Sequence, residues 1–204
     1  MIRNVRVAVV LWSLVALMPT VLAQSANVLT GAERAEGWRL LFDGESLTGW
    51  APRSDAEWVV EDGMITAVPD SGRGLLATVA EYDNFQLHVE FWIDDMANSG
   101  VFIRCPAEGA ITQANAFEIN IYDPHTTWPT GSINEIARIP TTPRTVGQWN
   151  TFEIVANGDH LLVKLNGEIT VDARSTRHTR GPIALQYNAA GRVRFRNVKI
   201  KSLE

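Results

Sequence analysis

The sequence predicts an all-β fold, a jelly-roll sandwich of two antiparallel sheets, and three observations predict it. Helical periodicity is almost absent. Short runs of alternating apolar residues recur from residue 58 to residue 200. Between them stand Asp62-Gly63, Asn157-Gly158 and Asn166-Gly167, pairs that tolerate the positive φ of a tight two-residue hairpin turn. About a dozen strands with no crossover helices to support a parallel sheet leave two packed antiparallel sheets.

At the start of the chain, Arg3 and Arg6 precede an apolar run over 7–15, and Val21-Leu22-Ala23 offers the small positions of a cleavage site before Gln24. Residues 1–23 read as a secretory signal peptide, broken by Ser13 and Pro19 and short for a spanning helix. The expectation is a secreted or periplasmic protein with no membrane segment once the peptide is removed. The chain has 18 basic and 23 acidic residues, a net charge of −5, and loses two arginines with that peptide. An acidic protein is a poor partner for nucleic acid or anionic lipid. Residues 24–36 read as a polar leader, and 37–204 as one domain with a sizeable core.

The strand runs are 58–60, 64–68, 85–93, 152–156, 161–165 and 169–171, then 183–187 and 193–200, with a phase slip at Arg196-Asn197 that implies a bulge. Two further strands lie at the centre of the chain. Val101-Phe102-Ile103-Arg104-Cys105 and Phe117-Glu118-Ile119-Asn120-Ile121-Tyr122-Asp123 both alternate. Their phase puts Val101, Ile103, Cys105, Phe117, Ile119 and Ile121 on a core face, and Phe102, Arg104, Glu118, Asn120 and Tyr122 on the other. A guanidinium, a carboxylate, an amide and two rings are more chemistry than a solvated face requires, so this second face is the candidate site. Cys105, the only cysteine, reads as a buried thiol. Glu90, with His88 and Trp92 on its side, and Gln186 share the strand phase of a concave face. Trp50 and Trp149 are assigned to packing.

An ordered series runs through the chain: Leu41-Phe42-Asp43-Gly44, Leu47-Thr48-Gly49-Trp50, Trp58-Val59-Val60-Glu61-Asp62-Gly63, Asn98-Ser99-Gly100-Val101-Phe102-Ile103-Arg104, Gly147-Gln148-Trp149-Asn150, Leu165-Asn166-Gly167 and Phe195-Arg196-Asn197-Val198. In this the chain resembles the 3-keto-disaccharide hydrolase domain family, which is similar to concanavalin A-like lectins and glucanases. The resemblance implies a carbohydrate substrate held on a concave sheet, in some members a sugar already oxidised to the ketone at C3. Members commonly carry Glu-x-Gln where this chain has Glu118-Ile119-Asn120, and many have a histidine soon after the Leu-Gln that is here Leu185-Gln186.

A ketone at C3 acidifies the C2 hydrogen, so such a site needs a base, a partner for the enolate oxygen and an acid for the leaving group. Glu118 and His125 are the available bases, Arg104 is the natural enolate partner, and Asp123 would orient His125 or protonate the leaving oxygen. Asn98, Asn120, Asn134, Glu90, Trp92 and Gln186 complete the set as substrate-binding residues. Arg104 and Glu118 also fit a plain cross-strand ion pair. Asp123, His125, Glu118 and Asn134 or Glu135 would offer donors to a divalent metal ion.

Two other functions compete. A non-catalytic carbohydrate-binding module suits the same fold. A retaining glucanase needs two carboxylates ~5 Å apart, and the Glu118 to Asp123 stretch has the spacing with a shorter second acid.

Overall fold

The computed structural model describes residues 26–188 and 190–204, so the signal-peptide segment lies outside the described residues. In chain order the elements are α1 (Gly31–Ala35), β1 (Arg39–Leu40), β2 (Trp50–Ser54), β3 (Trp58–Glu61), β4 (Met64–Ala67), β5 (Arg73–Thr78) and β6 (Phe85–Ile93). There follow β7 (Ser99–Ile103), β8 (Phe117–Ile121), β9 (Trp149–Asn157), β10 (His160–Leu165), β11 (Glu168–Arg174), β12 (Ala184–Asn188) and β13 (Val193–Ser202). Two antiparallel sheets result. The larger has eight strands, ordered β11-β10-β9-β6-β13-β4-β3 with β1 also on β13, and the smaller has five, ordered β2-β5-β12-β7-β8.

The alternation in the sequence becomes the core. In β6, Phe85, Leu87, Val89, Phe91 and Ile93 are at most 1 % exposed, while Gln86, His88, Glu90 and Trp92 between them are half-buried and outward. From the smaller sheet, Val101, Ile103, Phe117, Ile119, Ile121 and Leu185 join the same inter-sheet cluster. Each fully buried side chain of this kind contributes about 2 kcal/mol.

Turn chemistry sets most of the register. Asp62-Gly63 joins β3 to β4 with both residues at positive φ (51° and 73°), and Asn166-Gly167 joins β10 to β11 likewise (52° and 86°). The third hairpin differs from expectation by one residue. Asn157 pairs with His160, so the loop is Gly158-Asp159, and it is Gly158 that takes the positive φ (56°). Asn197 (φ 50°) is the predicted bulge, where the β13 to β6 register shifts between Arg196 and Lys199.

Two expectations need correction. The alternation of β7 stops at Ile103, because Arg104 adopts φ 53° and re-aims the chain. Cys105 therefore leaves the inter-sheet core and joins Phe102, Ala184, Leu75, Ala77, Ile111 and Ala116 in a second cluster on the outer face of the smaller sheet. Its thiol is buried as expected, and burial pushes it up to about 12. Trp149 is not a core residue: it lies on the outer face of the larger sheet, with the Arg196 guanidinium 3.9 Å from its ring centroid. The described part of the polar leader is fastened to the sandwich. Asn27 is buried, accepts the Asn197 N–H at 2.8 Å and donates to the Gly63 carbonyl at 2.8 Å, while α1, closed by a Thr30 and Glu33 capping box, ties Glu33 to Lys199.

Candidate functional site

Strand register assembles the site on the outer face of the smaller sheet. Leu75 pairs with Gln186, and Gly100 pairs with Asn120. Because Ala184 opposes Phe102, Gln186 comes level with Gly100, and the row across β5, β12, β7 and β8 reads Leu75, Gln186, Gly100, Asn120. One row away, Ala77, Ala184, Phe102 and Glu118 share the same face. On the opposite side Arg73 pairs with Asn188, whose N–H donates to the Asn98 carbonyl at 3.1 Å. The side chains therefore form a polar rim around a strand glycine, and that position without a side chain is the floor of a valley.

Residues 106–116 roof one end. Ile111 and Ala116 cover Phe102 and Ala184, and Arg53 reaches the carbonyls of Ala107 and Gly109. From this segment Gln113 donates to Glu118 Oε2 at 2.6 Å. At the other edge, residues 131–134 run beside β8 as an added strand: Gly131 N–H donates to Asn120 O, Asn120 N–H to Ser132 O and Asn134 N–H to Glu118 O, each at 3.0 Å. That pairing brings the Asn134 amide to Glu118 Oε2 at 2.7 Å. Glu118 is 3 % exposed, and burial raises its carboxyl above the ordinary value against the pull of the two amides. Its other oxygen, Oε1, has no hydrogen bond among the described residues and lies over Gly100, where an added methyl would stand 2.9 Å away. Asn134 Oδ1 and Gln186 Oε1 are buried acceptors without a partner among the described residues. Orphaned acceptors at a valley rim suit a ligand rich in hydroxyl donors.

Of the residues expected from sequence, Glu118, Asn120, Asn134 and Gln186 are thus brought together, with Asn98 at the rim. Others are not. Arg104 is 1 % exposed, and its guanidinium donates to the carbonyls of Asp83 (2.8 and 3.1 Å), Gly158 (2.8 Å) and His178 (3.0 Å). It forms no ion pair with Glu118, since the positive φ swings it off the face of β8, and it clasps three loops instead. Asp123 accepts at Oδ1 from the hydroxyls of Thr130 (2.6 Å) and Thr145 (2.7 Å), and at Oδ2 from the Thr145 N–H (2.7 Å), which latches the long 122–148 connection. His125 Nδ1 accepts from the N–H groups of Thr127 (3.2 Å) and Trp128 (3.0 Å), so in the neutral ring the proton sits on Nε2 and Nδ1 is spent on the turn. Glu90 and Trp92 belong to the larger sheet. Glu90 accepts from Arg196 Nε and Asn197 Nδ2, each at 2.7 Å, and Arg194 lies 5.4 Å from the Trp92 ring.

Among the described residues no three His, Cys, Asp or Glu side chains converge as a metal site. Asp123, His125 and Glu118, offered by spacing, are separated by the partners just named. Asp123, latched to Thr130 and Thr145, is not among the side chains gathered at the Glu118 carboxylate, which are Gln113 and Asn134.

Sequence reasoning missed Gly100, Gln113, Arg73 and Asn188 as members of this face. A glycine inside an alternating strand was a readable signal, and Asn188 lies in phase with Gln186. Gln113 arrives through a loop, for which no periodicity exists.

A solved structure from Parabacteroides distasonis, a protein provisionally named as a glycosyl hydrolase, is 26% identical with a TM-score of 0.77 and covers 88% of this chain and 100% of that one. A carbohydrate-binding module from Bacillus subtilis shares the fold at 20% identity and a TM-score of 0.61, covering 76% of this chain and 96% of that one. A Bacteroides thetaiotaomicron 3-keto-disaccharide hydrolase is 24% identical over 153 residues, 59% of this chain and 53% of the relative, so the chain spans about half the length of that protein. A family model matches residues 37–201, nearly all of the described sandwich, and by that match the chain belongs to the family of the 3-keto-alpha-glucoside-1,2-lyase-like domain.

Proposed function

We propose that this domain is a carbohydrate-active hydrolase that cleaves the glycosidic bond of 3-keto sugars, with Glu118 as its base. The family membership and the hydrolase names of its relatives support the general class. The observation that carries the narrower reading is the Glu118 carboxyl, desolvated, fixed at Oε2 by Gln113 and Asn134, and open at Oε1 over Gly100. A raised carboxyl pKa makes a stronger base, and the two amides hold the group in one orientation.

Glu118 Oε1 takes the C2 proton, and the C–H electron pair enters the C2–C3 bond as an enolate whose charge rests on the C3 oxygen. The enolate collapses, C1=C2 forms, and the C1–O bond breaks. Glu118, now protonated, returns its proton to the departing oxygen, and water then adds at C1 with a proton to C2. The Gln186 amide, beside Gly100, is the donor for the enolate oxygen, while the Asn120 amide nitrogen donates to the Trp128 carbonyl and holds that edge of the valley in place. Arg104, held by three carbonyls, takes no part in this reading.

Release of monosaccharide from a 3-keto disaccharide, with none from the parent disaccharide, tests the reaction. Glu118→Gln should lower kcat by on the order of a hundredfold or more. It should not lower the melting temperature: the folded-state carboxyl pKa is raised, so ionisation costs the native state stability as pH rises through it, and the neutral amide escapes that cost. Tight binding of the sugar without turnover would replace this reading with a binding module, and full turnover in Glu118→Gln would remove Glu118 as the base.

We further infer export with cleavage after Ala23, as the sequence pattern suggests. The intact mass of protein recovered from the periplasm or medium should begin at Gln24, and a mass retaining residues 1–23 would refute cleavage.

A further inference from the structure

The outer face of the larger sheet carries a second cleft, with a volume of about 450 Å³, on the opposite side of the sandwich from Gly100. One wall is built by α1 and the residues after it. The Glu33 to Lys199 pair and the Glu36 to Lys201 pair (3.4 Å) fasten this segment to β13, and the half-buried Trp38 stands between them, with both lysine Nζ atoms 5.9 Å from its ring centroid. The floor follows from register. Leu162, Val155 and Gln86 lie side by side across β10, β9 and β6, and the next row is Lys164, Glu153, His88 and Lys199.

We propose that this cleft is a second binding site, for an uncharged saccharide. A flat indole wall and an aliphatic floor fit the apolar face of a sugar ring. The Gln86 amide makes no hydrogen bond among the described residues, and His88 has only a 3.8 Å approach to Glu90, so both are available to hydroxyl groups. Charge decides the ligand class. Two carboxylates face two ammonium groups, and they are already paired as Glu33 with Lys199 and Glu153 with Lys164 (3.5 Å). A charged ligand would find no free counter-charge and would have to break a pair, whereas a polyol needs neither. Trp92 and Trp149, farther along the same face under Arg194 and Arg196, line no part of this cleft. Because this cleft and the Gly100 valley lie on opposite outer faces, a glycan held here leaves the valley free, and the site holds whether or not Glu118 is a base.

The test is NMR titration of the full ¹⁵N-labelled chain, following the Trp38 indole and Gln86 side-chain amide. The probes are methyl β-glucoside, methyl α-mannoside, cellotetraose and maltotetraose, with glucuronate as the charged comparison. At least one neutral probe should shift both signals saturably. Gln86→Leu should weaken the Trp38 response about tenfold, the worth of one or two hydrogen bonds. Trp38→Ala, shown to be folded by its dispersed spectrum, should abolish the Gln86 response, and Glu118→Gln should leave both intact. Absence of a shift with every neutral probe, a response to glucuronate alone, or an unchanged Gln86 response in folded Trp38→Ala would overturn the proposal.

Discussion

The carboxylate of Glu118 lies so close over Gly100 that a methyl group on the glycine would stand 2.9 Å from Oε1 and 3.2 Å from Cγ. Gly100 is not among the residues at positive φ, so space and not backbone conformation requires the glycine. Gly100→Ala should therefore push the carboxylate off its position. A displacement near 1 Å costs on the order of a hundredfold in turnover, while overpacking costs about 1–3 kcal/mol of stability. Kinetics on a 3-keto disaccharide beside thermal unfolding will separate the two, and unchanged kcat with a lowered melting temperature would show that Glu118 position is not critical.

Arg104 predicts the reverse pattern. Its loss leaves the carbonyls of Asp83, Gly158 and His178 without their buried donor. Arg104→Met should destabilise by about 3 kcal/mol or more, with turnover per folded molecule nearly unchanged. Denaturant unfolding combined with activity normalised to folded protein checks both halves. A stable but inactive Arg104→Met would return the residue to the chemistry.

Glu90 should reveal itself through acid stability. Burial pushes its carboxyl up, but the nearby His88 ring (3.8 Å) and the hydrogen bonds from Asn197 and Arg196 outweigh that and bring it down from 4.5 to about 2. A depressed pKa stabilises the native state at pH values above the unfolded-state pKa, and the contribution fades as pH falls from about 4.5 to 2. Glu90→Gln should accordingly lower the melting temperature at pH 7, with the gap to wild type closing as pH approaches 2. A gap independent of pH would mean that the loss is one of shape and not of charge.

Much of the fold was legible because its signals are local. The alternation of β6, the Asp62-Gly63 and Asn166-Gly167 turns and the bulge at Asn197 each depend on side chains within a few residues of one another. The errors fall where one backbone angle outweighs a pattern. The single positive φ of Arg104 ends the alternation, sending Cys105 to the outer face and the guanidinium into the loops. Asn157-Gly158 missed by one residue because Gly158 alone supplies the positive φ and opens the loop.

The sequence by itself determined two antiparallel sheets, their inward faces and the strand carrying Glu118 and Asn120, since period-two alternation and turn residues are written along the chain. Only the tertiary structure decided which outward faces belong together. Glu90, Trp92 and Gln186 share a strand phase, yet β6 pairs in the larger sheet and β12 in the smaller, which puts them on opposite sides of the molecule. Strand phase says whether a side chain points in or out of its own sheet, and only long-range pairing says which sheet that is. In the same way Gln113 and Asn134 meet Glu118 through a roofing loop and an added edge segment, contacts that the hydrogen bonds of neighbouring strands create and no local pattern encodes.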